Sequence, residues 1–371
     1  MKIVFYTDQT YLHGGIEKVI SLKSNHLSEI EGVEVLILTN EQKKNKPCYY
    51  FDNKIKHIDL GINYNRKTSN LTFENIFKVY KNFLRIRTFL RKNKPDVLVV
   101  CNYNFDYFFL PFLRKKTLKI KEIHDSRFYP LLRRKANKSI IKKVIYKISD
   151  WIESKYNYVV VLTLDEKKYY KGKNVKVIPN FIPNKKTFSV TNKKENVAIS
   201  AGRISPVKGF DQLINAWKSV ANKHNDWQLH IYGEGEENYV KYLSNLITDL
   251  GLSNFIKLKG STSKLQEKMN DASFYVMSSI TECFPMVLLE SMQVGLPIIS
   301  FDCPHGPKNI ITDKVDGILV ENKNLELLSK EINFLIENPE IRKEFAKNAQ
   351  INVKRFDENL VMNDWMKLFV S

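Results

Sequence analysis

The sequence predicts an α/β fold built from two doubly wound, Rossmann-like parallel-sheet domains facing a cleft. Three observations carry this. Short apolar runs alternate with segments of helical period, the pattern of parallel strands covered by helices. The alternation is interrupted around Pro179 and Pro183 and then restarts. A chain of 371 residues is also long for one hydrophobic core and suits two.

In the first half, residues 2–6 (KIVFY), 33–38 (VEVLIL), 96–100 (DVLVV), 118–124 (LKIKEIH) and 158–162 (YVVVL) read as strands, with helices at 15–29, 73–92 and 139–155. The stretch VKVIPNFIPNKKTF, 175–188, reads as the interdomain linker. The second half supplies strands at 196–205, 227–233, 255–260, 273–277, 296–301 and 317–320. The expected division is a first domain over 1–180, a second over 181–355 and a final amphipathic helix over 356–371, with Leu360, Trp365 and Leu368 near one face. Ligands of such sheets bind beyond the carboxyl ends of the strands, which puts the expected site in the cleft.

Composition narrows the class. The amino terminus turns polar at Asp8, too soon for a signal peptide, and no apolar stretch approaches the length of a membrane span, so a cytoplasmic location is expected. Cys48, Cys101, Cys283 and Cys303 form no CxxC pair and have no His at ligand spacing; packed, reduced thiols and no metal are expected. The formal net charge of +19 is unevenly spread: residues 1–180 hold 36 Lys and Arg against 17 Asp and Glu, whereas residues 181–371 hold 23 of each. Residues 114–147 alone hold thirteen basic side chains, among them Arg133, Arg134, Lys135, Lys142 and Lys143, against Glu122 and Asp125. Interleaved with Leu131, Leu132, Ile140, Ile141, Val144, Ile145 and Ile148, they read as a partly buried amphipathic segment facing an anionic membrane surface. A nucleic-acid-binding protein would use the same basic face, but it leaves the remaining motifs without a purpose, and none is partnered by a recognition-helix signature.

The chemistry concentrates in four stretches. In ECFPMVLLES, Glu282 precedes and Glu290 lies within a helix predicted from about Pro285, whose first free N–H groups form a place for phosphate. A carboxylate in an apolar helix needs a partner, and a sugar diol arriving with a ligand is one. In AGRISPVKG, between a strand and a helix, Gly202 and Gly209 permit tight turns while Arg203 and Lys208 supply two cations able to hold a diphosphate without a metal. The turn after LHIYG leaves room for a planar group at Gly233 and Gly235. In the first half, Gly14 and Gly15 follow the first strand, and His124 and Asp125 end another. The glycines are not a GxGxxG fingerprint, and no DxD motif occurs, which argues against a nicotinamide site and against a metal-dependent nucleotide-sugar site.

Together these residues resemble the retaining glycosyltransferases of family 4, enzymes of the GT-B fold. The resemblance rests on Glu282 and Glu290 at E-x7-E spacing, on GRISPVKG and on HGGIEK, and CPHGPKNIITDKVDGILV is similar to the continuation in bacterial capsule and O-antigen enzymes. It implies a nucleotide-sugar donor, UDP by family frequency, and as acceptor a saccharide or a saccharide carried on a polyprenyl diphosphate. Glu290 would hold the ribose; Glu282, with the amides of Phe284, Met286 and Val287, would contact the donor sugar and phosphates. Arg203 and Lys208 would neutralise the leaving diphosphate, His124 would reach the donor sugar from the other domain, and Gly15 would let the first loop approach the phosphate. No cofactor is implied. The family usually has Gly where this chain has Cys283; a left-handed backbone there would strain Cys, and any other would leave its side chain to trim the sugar pocket. A nucleotide-sugar epimerase of the same fold is the alternative that keeps these motifs.

Overall fold

The computed structural model describes residues 1–68, 72–102, 104–184 and 194–371. The chain forms two compact units, one of Met1–Pro179 with Met362–Ser371 and one of Asn180–Val361.

The first unit is a parallel sheet of β1 (Lys2–Thr7), β2 (Glu34–Thr39), β3 (Lys56–Asp59), β4 (Val97–Val100), β5 (Leu118–Glu122), β6 (Tyr158–Val161) and β7 (Val175–Val177), in the order β3-β2-β1-β4-β5-β6-β7. Central strands are continuous apolar runs because helices cover both faces, and Ile3, Val4, Phe5 and Tyr6 of β1 are fully buried. Three elements depart from the sequence reading. Strand β3, KHID, and strand β7, VKV, are edge strands with too little apolar content to announce themselves. The second of these lies inside the stretch read as linker, so the first sheet runs further than expected; residues 185–188 of that stretch lie outside the described residues. Helix Phe128–Ala136 buries none of its residues and therefore offers no core-facing stripe to detect.

The second unit repeats the plan with β8 (Val197–Ala201), β9 (Gln228–Tyr232), β10 (Ile256–Leu258), β11 (Phe274–Met277), β12 (Ile298–Phe301) and β13 (Gly317–Val320), ordered β10-β9-β8-β11-β12-β13 and parallel throughout. Its core gathers Trp217, Leu213, Phe274, Ile299 and Leu335. The last helix, Glu358–Phe369, buries Val361, Met362, Trp365, Leu368 and Phe369. Leu360, expected on that face, is 57% exposed instead: it is one residue ahead of Val361, which takes the inward position.

Candidate functional site

The second unit brings most of the singled-out residues to the carboxyl ends of its central strands. Beyond β8 the chain passes Gly202, whose N–H donates to the Tyr232 carbonyl at 3.0 Å, and Ile204, whose N–H donates to the Glu234 carbonyl at 2.7 Å. Pro206–Lys208 form a single 3-10 turn that ends at Gly209. Gly209 has φ +61°, and a Cβ there would lie 2.2 Å from the carbonyl oxygen of Ser278, so only glycine satisfies both the left-handed backbone and the close approach. The Ile280 N–H donates to the Val207 carbonyl at 2.9 Å and the Ser278 hydroxyl to that of Lys208 at 3.1 Å. The basic loop is thereby strapped to the segment that follows β11.

That strapping sets Lys208 Nζ 2.6 Å from Glu282 Oε1. The Glu282 backbone is itself fixed, its N–H donating to the Pro304 carbonyl at 3.2 Å and its carbonyl accepting from His305 at 2.9 Å. Glu282 is therefore already paired with a cation of this chain, and the two side chains keep 13% and 24% of their surface exposed. Helix Met286–Gln293 starts beside them, with Pro285 as its N-cap and not in its first turn. Its opening amides, Met286 and Val287, have no acceptor within the helix and present the positive end of its dipole. Glu290 lies in this helix, 6% exposed between the fully buried Leu288, Leu289 and Met292. Beneath the loop, the Tyr275 hydroxyl accepts from the Ala201 N–H at 3.1 Å and donates to the Ala201 carbonyl at 2.8 Å, tying β11 to β8. Burial pushes the Tyr275 phenol above its ordinary range, the Ala201 backbone hydrogen bond opposing it and the Glu282 and Glu290 carboxylates adding to it. As a mid-strand tyrosine it carried no signal in the sequence.

Around these groups lies a small cavity lined by Ser200, Lys208, Tyr275, Ser279, Glu282 and Val287. Arg203 is exposed beside the loop with no side-chain partner among the described residues. Gly233 packs against the turn at Gly202, where an added Cβ would meet the Gly202 carbonyl oxygen at 1.9 Å; here the glycine serves close backbone packing. Phe284 stacks edge-on against Phe356 with centroids 5.4 Å apart, so its ring is a core group. Cys283 is buried and does not have the left-handed backbone that would strain it.

The first unit holds the other predicted residues. Gly14 caps helix Gly15–Ser28 with extended backbone, and nothing lies within 4 Å of where a Cβ on Gly15 would be. His124 follows β5 with its Nε2 3.4 Å from Glu122 Oε1; its side chain is 7% exposed, and Asp125 beside it is exposed. Sequence spacing gave no His near a Cys, yet the fold sets Cys101, Glu122 and His124 with ligand atoms within 4.8 Å of one another. Lys23, which the sequence reading passed over, takes the same Glu122 oxygen as a salt-bridge partner. Burial alone would raise the Glu122 carboxyl, but the Lys23 ammonium and His124 outweigh it and hold that group well below the usual range.

Of the predicted basic face, Arg133, Lys135, Lys142 and Lys143 are exposed. Arg134 is not free to face outward: it bonds Asp150 at 2.8 Å and stacks on Tyr146, joining helix Phe128–Ala136 to helix Ile140–Glu153. The apolar residues expected to be partly buried are more exposed than that, with Ile140 at 78% and Ile141 at 73%, and Val144, Ile145, Ile148 and Trp151 continue the same helix face. Among the described residues no helix is long and apolar enough to cross a membrane.

Residues 181–352 match the family model of glycosyl transferases group 1. The amylovoran biosynthesis glycosyltransferase AmsD of Erwinia amylovora is 33% identical over 217 residues, 56% of this chain and 60% of that protein, so the chain matches about three fifths of its relative's length. The poly(ribitol-phosphate) alpha-N-acetylglucosaminyltransferase of Staphylococcus aureus is 28% identical over 88% of this chain and 68% of its own. An alpha-1,4-N-acetyl-D-galactosaminyltransferase of Campylobacter jejuni, named for an undecaprenol-diphosphate-linked acceptor, is 23% identical over 100% of this chain and 99% of its own. Among solved structures, S. aureus TarM, crystallised with UDP and alpha-GlcNAc-glycerol, superposes with a TM-score of 0.79 at 19% identity over the whole of both chains, a likeness of fold. The matched stretch, residues 181–352, contains Arg203, Lys208, Glu282 and Glu290 together.

Proposed function

We propose that this protein is a retaining glycosyltransferase that moves a sugar from a UDP-sugar to a saccharide acceptor on a lipid carrier, in the building of a bacterial surface polysaccharide. The observation that carries the reading is the Lys208–Glu282 pair set beside the amino end of helix Met286–Gln293. A nucleoside diphosphate brought there meets Arg203, Lys208 and the helix amides, which are in place before charge develops. As the bond from the anomeric carbon to the phosphate oxygen breaks, its electron pair goes to the diphosphate, and these groups stabilise it. Lys208 bonding the phosphate loosens its hold on Glu282, whose carboxylate is then available to the sugar hydroxyls. Glu290 accepts from the ribose diol. The acceptor oxygen forms the new bond from the face the phosphate leaves, and its proton passes to a phosphate oxygen, so that configuration is retained without a protein nucleophile. The two cations and the helix end stand where a metal would otherwise be required.

The names of the relatives from E. amylovora, S. aureus and C. jejuni support the polysaccharide setting, and the last of them supports a lipid-linked acceptor. The exposed apolar face of helix Ile140–Glu153, flanked by Lys142, Lys143 and Lys147, supports peripheral binding at the inner face of an anionic membrane. The donor assignment is tested by thermal denaturation with UDP, GDP and their sugars, with and without Glu290→Ala, since saturable binding raises stability by a calculable increment. A stabilisation confined to the uridine compounds and lost in the variant is expected; none with any nucleotide overturns the reading.

A further inference from the structure

A second group of ligand-competent side chains lies in the first unit, at residues to which the sequence reading gave no ligand-binding role. The strand order β3-β2-β1-β4-β5-β6-β7 reverses direction between β1 and β4. In a doubly wound sheet the crevice beyond the carboxyl ends at such a reversal is where ligands bind. Here the residues just past the strands are Asp8 after β1, Glu41 after β2, and Asn102 and Asn104 after β4. Arg66 lies across them: Nε donates to Glu41 Oε1 at 3.0 Å, one terminal nitrogen donates to Asp8 Oδ2 at 2.9 Å and also to Glu41 Oε1, and the other donates to Asn104 Oδ1 at 3.0 Å. Asn102 Nδ2 donates to Asp8 Oδ1 at 3.3 Å and to the buried Asp106 at 2.9 Å; Asn104 Nδ2 donates to Asp8 Oδ1 as well.

Two atoms of this group are left over. Glu41 Oε2 and Asn102 Oδ1 have no hydrogen-bond partner among the described residues, although their own residues are 6% and 5% exposed. Buried acceptors without donors cost stability that a fold does not ordinarily give up, and both are acceptors. The ligand that satisfies them brings donors. Its chemistry is further restricted by charge: Asp8 and Glu41 share one guanidinium, all three nitrogens of which already donate, with Asp106 close behind. A phosphate placed here would have to draw Arg66 from two carboxylates at once and would then lie against both, whereas sugar hydroxyls would donate to Glu41 and Asn102 and accept from the amide groups. The Arg66 side chain, 46% exposed, is the part that yields to admit them.

We propose that Asp8, Glu41, Asn102 and Asn104 form the saccharide subsite for the acceptor, selective for a neutral, hydroxyl-bearing sugar and closed to a polyol phosphate. The proposal rests on the glycosyltransferase reading for the word acceptor, but its site lies wholly in the first unit. Saturation-transfer NMR on the full chain tests it, with the methyl α-glycosides of glucose, N-acetylglucosamine and N-acetylgalactosamine and with glycerol 3-phosphate and ribitol 5-phosphate as probes. At least one glycoside is expected to bind and both phosphates to fail. Glu41→Gln should weaken the glycoside about tenfold, because a charged acceptor is replaced by a weaker, neutral amide oxygen. Asn102→Ala, which leaves both ion pairs of Arg66 in place, should do the same, and Glu290→Ala should not. Binding of either phosphate more tightly than the glycosides, no glycoside binding at all, or glycoside binding indifferent to both variants overturns the proposal. Uridine nucleotide binding without glycoside binding removes this subsite alone; glycoside binding sensitive to Glu41→Gln without nucleotide binding removes the transferase reading and leaves the subsite standing.

Discussion

Each unit contains a lysine–glutamate pair at the end of its parallel sheet, and the two pairs differ most in their exposure. Lys23 and Glu122 keep 1% and 0% of their side-chain surface exposed, whereas Lys208 and Glu282 keep 24% and 13%. The first pair is sealed, with the Trp365 ring 3.9 Å from the ammonium, and nothing outside the protein can take either partner. The second pair is accessible, and an incoming phosphate can compete for the lysine. The same chemistry is therefore a sealed structural joint in one place and, in the function proposed above, a binding site in the other, and access to solvent decides which.

The sharpest way to break the comparison is to remove one lysine at a time. Lys23→Met leaves Glu122 as an uncompensated buried carboxylate beside His124, and such losses cost about 3–5 kcal/mol. Equilibrium denaturation should show that cost, and Lys23→Met with Glu122→Leu should recover much of it because the orphaned charge is gone. If the single variant is as stable as the parent, the pair is not the joint described here. Lys208→Met should do the reverse: stability should change by no more than about 1 kcal/mol, as for other partly exposed pairs. Turnover should fall by about 10²–10³, the loss seen when one preplaced stabiliser of developing charge is removed.

A third lysine sharpens the contrast through pH. Lys121 is buried, with Nζ 3.3 Å from the Val100 carbonyl, and burial pulls its pKa down to about 8. Its folded value lies below the unfolded value of about 10.4, so the folded state releases this proton first. Between pH of about 8 and 10.4 the unfolded chain binds more protons at this group, and its contribution to stability rises with pH there, by at most about 1.4 kcal/mol per pH unit. Comparing the parent with Lys121→Met across that window isolates the effect, since other groups titrate alike in both. A parent curve that falls relative to the variant would contradict the assignment.

The two pairs were not equally legible in the sequence. Lys208 and Glu282 sit in loops marked by glycine and proline, where the required backbone leaves a local signature. Lys23 lies mid-helix and Glu122 at the end of a strand, and only tertiary packing brings together residues 99 positions apart. The same distinction explains the rest. Central strands such as β1 and β8 announce themselves as continuous apolar runs, and both stretches read as strands begin within one residue of where the structure puts them. The edge strands β3 and β7 do not, because an edge buries too little to demand apolar residues. The acceptor-like group around Asp8 and Glu41 was invisible for a third reason: its members follow three different strands, and their conjunction is a property of strand order.

The smallest expected effect concerns Cys283, which lies between the accessible glutamate and its helix. Its backbone lies outside the left-handed region, so glycine at this position would relieve no strain. Cys283→Gly should instead lower stability by about 1 kcal/mol, through added freedom in the unfolded chain and lost burial, a shift of about 2–4 °C in Tm for a domain of this size. Stabilisation would mean that the loop is strained after all. The more informative readout is the donor panel: a side chain that trims the sugar pocket should, once removed, broaden the range of UDP-sugars that stabilise the protein while leaving UDP itself unaffected. Were UDP stabilisation to fall with the rest, the thiol would be supporting the helix amides at Met286 and Val287, and the accessible pair would depend on its neighbour for geometry as the sealed pair depends on Trp365.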